Sequence, residues 1–333
     1  MSDLPPNTPS VADRVRPVKA DRTIVAVHFL DGTPVFVLGE EALLFAGEQG
    51  EARVPVHGGA ILASASDGKR IVTGGDDGRV VSTGLDAKPN EIATDAKKRW
   101  IDQVALGPDN AVAWSAGKTA FVKTKKGEEK TIEAPSTVAG LAFAPKGFRL
   151  AIAHYNGVTL WFPNAQAAGE KLEWKGSHLA VGFSPDGRFL VTAMQEPTMH
   201  GWRLLDGKHM RMSGYSARVR SFGFTAGGDY LATSGSEQLI LWPYDGKDGP
   251  MGKQPLMWAP SNARVAAVAP HPRQPIVAVG FADGIVLLVR IEDGAEILVK
   301  PKDPAPITAL GWDAHGAQLA FGTEDGEAGV VGL

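Results

Sequence analysis

The chain has 333 residues, with 34 Lys and Arg against 37 Asp and Glu; the formal net charge of −3 argues against a nucleic-acid binder, which would need a basic field. There is no cysteine, so disulfides, thiolate metal sites and cysteine nucleophiles are ruled out, and no apolar run approaches the length of a membrane span. An apolar content of 44% suffices for a packed core, and 40 Gly with 23 Pro predict many turns.

In chain order, residues 1–12 are Pro-rich and polar and read as a disordered tail; MSDLPPNTPS lacks the basic and apolar regions of a secretory signal. Val15–Val18 is a short β-type run, and from Ile24 onward such runs alternate with turns. The clearest unit is His178–Leu204. Leu179–Phe183 is a first strand, and SPDGR (Ser184–Arg188) is a turn in which Pro presets φ, Asp bonds its own backbone and Gly accepts positive φ. Phe189–Ala193 is a second strand and Met199–Leu204 a third that carries Trp202.

The unit recurs. Residues equivalent to Leu190 are Val35, Ile71, Ala113, Leu150, Leu231, Val277 and Leu319, so the successive spacings are 36, 42, 37, 40, 41, 46 and 42. Each follows a turn such as LDGTP, SDGKR, GPDNA or TAGGD. A fourth run follows each three-strand unit, at Ala52–Val56, Glu91–Thr94, Lys130–Glu133, Lys171–Trp174, Lys208–Met212, Pro255–Trp258 and Ala295–Lys300; the last unit lacks one because the chain ends at Leu333. A period near 40 with about four strands per unit is a propeller-blade pattern. The expectation is an all-β, eight-bladed β-propeller of four-stranded antiparallel blades over residues 13–333, with seven blades as the alternative. Residues 13–18 supply the missing strand of the last blade, where Pro17 is tolerable on an outer edge.

These units resemble the WD-repeat β-propeller family over about residues 24–333. The match rests on the SPDGR turn, the pairs Leu160-Trp161, Gly201-Trp202 and Leu241-Trp242, and the Asp77-Gly78 and Asp283-Gly284 turns. The departures are that Trp161, Trp202 and Trp242 are followed by Phe, Arg and Pro in place of Asp, and that no Gly-His pair occurs, although His57 and His178 sit in the corresponding loops. The resemblance implies a buried hydrogen-bond network of His178, Thr192 and Trp202, with the aspartate's place near Gln195 or Glu196; His57 and Trp161 are partial remnants of the set elsewhere.

No GxSxG, HExxH, P-loop or GxGxxG pattern is present, so no enzyme is expected, and no cofactor or metal. The paired carboxylates Asp76 and Asp77 read as a turn. The resemblance implies instead a non-catalytic scaffold that binds a protein partner on the channel-mouth face, through Arg99, Trp100, Tyr155, Arg218 and Arg264. Loops of the repeat carry all five, and Trp and Arg supply much of the energy at interfaces. The alternative is a propeller that binds a small ligand or metal ion, with His57, His154 and His178 as the candidates. The expected protein is a cytoplasmic monomer that touches neither nucleic acid nor membrane.

Overall fold

The computed structural model describes residues 8–48, 50–166 and 168–333. All of its strand pairs are antiparallel apart from one isolated bridge. The first sheet holds β2 (Ile24–Leu30), β3 (Thr33–Leu38), β4 (Ala42–Gly47) and β5 (Gly50–Pro55), preceded in sequence by β1 (Arg16–Lys19). The second holds β6 (Ile61–Ser66), β7 (Arg70–Gly75), β8 (Arg79–Gly84) and β9 (Pro89–Thr94); the third holds β10 (Gln103–Leu106), β11 (Val112–Ala116), β12 (Thr119–Lys123) and β13 (Glu129–Glu133). The fourth has six strands: β14 (Gly140–Phe143), β15 (Leu150–Trp161), β16 (Glu170–Phe183), β17 (Phe189–Met194), β18 (Met199–Arg203) and β19 (His209–Met212). The fifth holds β20 (Phe222–Phe224), β21 (Tyr230–Thr233), β22 (Leu239–Pro243) and β23 (Leu256–Trp258); the sixth holds β24 (Val265–Pro270), β25 (Ile276–Phe281), β26 (Val286–Arg290) and β27 (Glu296–Lys300). The seventh holds β28 (Ile307–Trp312), β29 (Gln318–Thr323) and β30 (Glu327–Gly332), and β1 pairs on its edge, with Arg16 opposite Val330 and Lys19 opposite Glu327.

Among the described residues seven separate sheets are therefore present, the alternative count, where eight were expected. The reason lies in the fourth sheet, where the fourth and fifth sequence units run together without a break. Two bonds show how its long strands fold. His154 Nε2 lies 2.9 Å from Thr159 Oγ1, and His178 Nε2 lies 2.9 Å from the Trp174 carbonyl. A straight strand would separate residues four or five apart by roughly 13–17 Å. β15 must therefore turn back at Asn156-Gly157 (φ +66° and +142°), and β16 must bend at Gly176 (φ +113°). β16 then pairs with β15 through Leu172 and Glu173 and with β17 through Ala180–Phe183, so one strand joins the two units.

The tail expected over residues 1–12 is ordered where it is described. The Val11 N–H donates to the Leu298 carbonyl (2.9 Å), Ser10 bridges to Leu298, and Ala12–Arg14 is a 3₁₀ turn; residues 1–7 lie outside the described residues. The turns use the expected chemistry. Asp186 Oδ1 accepts from Ser184 Oγ (2.7 Å) and Arg188 N (2.9 Å), while Gly187 takes φ +76°.

The chain forms two compact units: Gly214–Leu333 together with the N-terminal stretch to Arg53, and Val54–Ser213. Within each, second strands such as β11 and β17 are buried along their whole length, whereas outer strands such as β5 are almost wholly exposed. Second strands are accordingly continuous apolar runs, as covering on both faces requires. Close approach between neighbouring sheets is set by glycines late in second strands. A Cβ at Gly74, Gly280 or Gly322 would lie about 2.5 Å from Ile101, Ile307 or Ile24 respectively, each buried at the start of the adjoining sheet. Among the described residues no helix is long and apolar enough to cross a membrane.

Candidate functional site

His178 is fully buried. Its Nε2 faces the Trp174 carbonyl at 2.9 Å and its Nδ1 lies 2.8 Å from Thr192 Oγ1. A carbonyl only accepts, so Nε2 carries the proton and Nδ1 of the neutral ring accepts from the Thr192 hydroxyl. Burial lowers the His178 pKa, in keeping with the neutral ring. Trp202 packs beside it, with ring centroids 5.7 Å apart. The structure differs from the expectation at the aspartate's place: neither Gln195 nor Glu196 fills it, both being exposed, and the Trp174 carbonyl takes the ring proton instead.

A fuller version of the network stands in the second sheet, where the sequence reading saw only a remnant and a turn. His57 Nδ1 lies 3.0 Å from Asp77 Oδ1, and Nε2 lies 2.8 Å from Thr73 Oγ1. The Asp77 carboxylate also accepts from the Gly58 N–H (2.9 Å), the Arg79 N–H (3.0 Å) and Arg79 Nε (3.0 Å). Partial burial alone would raise Asp77; the hydrogen bonds from Gly58, Arg79 and His57 outweigh it and bring its pKa to about 2. In the fifth sheet Tyr215 stands in for histidine. Trp242 Nε1 donates to its hydroxyl at 2.7 Å and Thr233 Oγ1 lies 3.0 Å away, while burial pushes Tyr215 up to about 12. These networks join buried groups of one sheet to each other and fix strand register.

His200 differs from them. It is fully buried and neither ring nitrogen has a partner among the described residues. It stacks on Trp174 at 4.1 Å, and burial pushes its pKa down to about 3.

The five expected partner-contact residues fall in both compact units. In Val54–Ser213, Arg99 is braced: Nη2 pairs with Asp95 Oδ2 at 2.6 Å and Nη1 donates to the Ala116 carbonyl at 3.1 Å. Trp100 follows it with 65% of its surface exposed, although Ile101, the next residue, is fully buried. Tyr155 is 58% exposed beside a separate cavity of about 260 Å³ lined by Ser136, His154 and Lys171. In the other unit, Arg218 and Arg264 line one cavity of about 520 Å³. Arg220 lines it too. Among the described residues no group of three or more His, Cys, Asp or Glu is placed to hold a metal ion.

No family model matches the chain, and no curated protein does. Among solved structures the chain is similar to the computationally designed Ika8 protein, at 18% sequence identity and a TM-score of 0.76, covering 95% of this chain and 98% of that one. At that identity the likeness concerns fold alone. With the sheet topology above, it makes the chain an all-β propeller of four-stranded antiparallel blades.

Proposed function

We propose that this chain is a WD-repeat-like, non-catalytic interaction scaffold of the cytoplasm, which binds a protein partner through loops that the repeat phase assigns to the channel mouth. The observation that carries the reading is Trp100. Its ring is 65% exposed, yet its backbone is held on both sides. Asp95 Oδ1 accepts from the Lys97 and Arg99 N–H groups, both at 3.0 Å, and the Ile101 N–H donates to the Gly75 carbonyl at 3.0 Å. An exposed tryptophan on a fixed backbone has no packing role to explain it, and it loses little ordering entropy when a partner covers it. Tyr155 offers a second aromatic, and its N–H is bound by Ser136 Oγ at 2.9 Å. Propellers commonly act as rigid platforms of this kind.

The test is affinity capture from a lysate with the wild-type chain and with Trp100→Ala side by side, read by mass spectrometry. The reading expects one or a few proteins retained by the wild type and lost from the variant. Identical captures by both would end the assignment of Trp100.

A further inference from the structure

The cavity of about 520 Å³ in the unit that contains Gly214–Leu333 collects three guanidinium groups, Arg218, Arg220 and Arg264, against one carboxylate, Glu324. Its formal charge is therefore +2, in a chain whose total is −3. Arg220 and Arg264 are exposed, and neither guanidinium makes an ion pair or side-chain hydrogen bond among the described residues. By contrast, Arg22, Arg79, Arg99, Arg203 and Arg290 are each paired with a carboxylate. Arg220 and Arg264 thus bring two fork-shaped donor groups, suited to carboxylates, to one concavity.

The frame that holds them is fixed. The Ala217 N–H donates to the Gly235 carbonyl (3.0 Å) and the Gly235 N–H to the Val265 carbonyl (3.0 Å). The Arg220 N–H donates to Ser234 Oγ (3.2 Å), and the Arg264 carbonyl accepts from Ala282 (2.9 Å). The cavity's hydroxyls are already engaged within the chain. Ser221 Oγ donates to the Val268 carbonyl (3.2 Å) and accepts from its N–H (3.0 Å); Thr23 donates to the Glu324 carbonyl (2.6 Å), and Thr308 to the Ile24 carbonyl (2.5 Å). The guanidinium groups are therefore the cavity's main donors to an anion. What remains is long cationic arms over a partly apolar floor that includes Val25, 46% exposed, and Ile307.

We propose that this cavity is the docking site for an extended acidic peptide segment of the partner protein, whose carboxylates pair with Arg218, Arg220 and Arg264 and whose apolar side chains rest against Val25. The inference builds on the scaffold reading above. Glu324 repels carboxylates at its own edge, so the segment runs with its acidic residues toward the arginines and a neutral or basic residue toward Glu324. A volume of about 520 Å³ falls within the range of sites that enclose a ligand.

The experiment is fluorescence anisotropy with a fluorescein-labelled peptide that alternates Glu and Leu, and a control peptide with Lys in place of Glu. The proposal expects saturable binding of the acidic peptide alone, weakened by salt as exposed ion pairs are. The paired substitution R220E and R264E should weaken it by at least about tenfold. The neutral pair R220Q and R264Q should lie between, and Glu324→Gln should tighten binding. No saturable binding by the wild type, or equal binding by a folded R220E and R264E variant, overturns the proposal. Inorganic phosphate displacing the peptide at equal concentration also overturns it, because the site would then be one for small anions. A captured partner that is lost from Trp100→Ala yet retained by the R220E and R264E variant refutes the acidic-segment site while leaving the scaffold reading intact.

Discussion

Replacing Asp77 with alanine tests whether the His57–Thr73–Asp77 network holds the second sheet. The carboxylate takes four hydrogen bonds, at 2.9–3.0 Å, from Gly58, His57, and the backbone and side chain of Arg79. Two routes give its worth. Folding brings the pKa from 3.8 to about 2, equivalent to about 2.5 kcal/mol at 1.36 kcal/mol for each tenfold change. Alternatively, the substitution strands the largely buried His57 Nδ1 and the Gly58 N–H, at about 1–3 kcal/mol for an orphaned group. Asp77→Ala should thus cost about 2–4 kcal/mol in urea unfolding at neutral pH. Asp76→Ala removes the adjacent carboxylate, for which no side-chain hydrogen bond is found among the described residues, and should cost within about 0.5 kcal/mol. The folded pKa of Asp77 lies below its unfolded one, so its contribution is complete above about pH 4 and is lost as pH falls toward 2. The cost of Asp77→Ala should shrink over that window. Equal costs for Asp76→Ala and Asp77→Ala, or a cost below about 0.5 kcal/mol for the latter, would refute the reasoning.

Acidification offers a second check: His200 is held neutral with a pKa near 3, below the usual 6.5, so stability falls as pH drops from 6.5 toward 3. Between pH 6.5 and 5 this site alone contributes about 2 kcal/mol of loss, and His200→Phe should lose correspondingly less in a melting series; parallel losses by both proteins would contradict the assignment. Gly322→Ala places a Cβ 2.5 Å from Ile24 Cγ2 and should cost about 1–3 kcal/mol by overpacking, whereas Gly32→Ala, at φ +82° with open space around it, should cost about 1 kcal/mol from backbone strain alone; denaturant midpoints separate the two. Deleting residues 1–19 strips β1 from β30 and removes the buried Val18, so the melting temperature should drop by several degrees; an unchanged value would show that β1 contributes nothing.

The repeat was legible because turns such as Ser184–Arg188 and the apolar second strands carry local signals in fixed phase. The joining of two units through β16 was not, since Lys175-Gly176-Ser177 reads as an ordinary break and only the pairings on both sides show continuity. The His57 network escaped notice for a related reason. Its three members span 21 residues, and Thr83, opposite Ile71, stands where Trp202 stands opposite Leu190. Tyr215 in place of histidine hid the fifth-sheet version in the same way. The brace on Arg99 is local, four residues from Asp95, and was in principle readable. The arginine cavity was not, because it depends on segments near residues 23–25 and 306–308 meeting the loops that carry Arg218 and Arg264.

The most direct test of the scaffold account is a paired measurement on Trp100→Ala: affinity for the captured partner by calorimetry, and melting temperature on the same preparation. With 65% of its surface exposed on a fixed backbone, Trp100 should contribute about 2 kcal/mol or more to binding and almost nothing to folding. The account predicts at least about a thirtyfold loss of affinity with the melting temperature unchanged. A collapsed melting temperature, or affinity equal to that of the wild type, would contradict it.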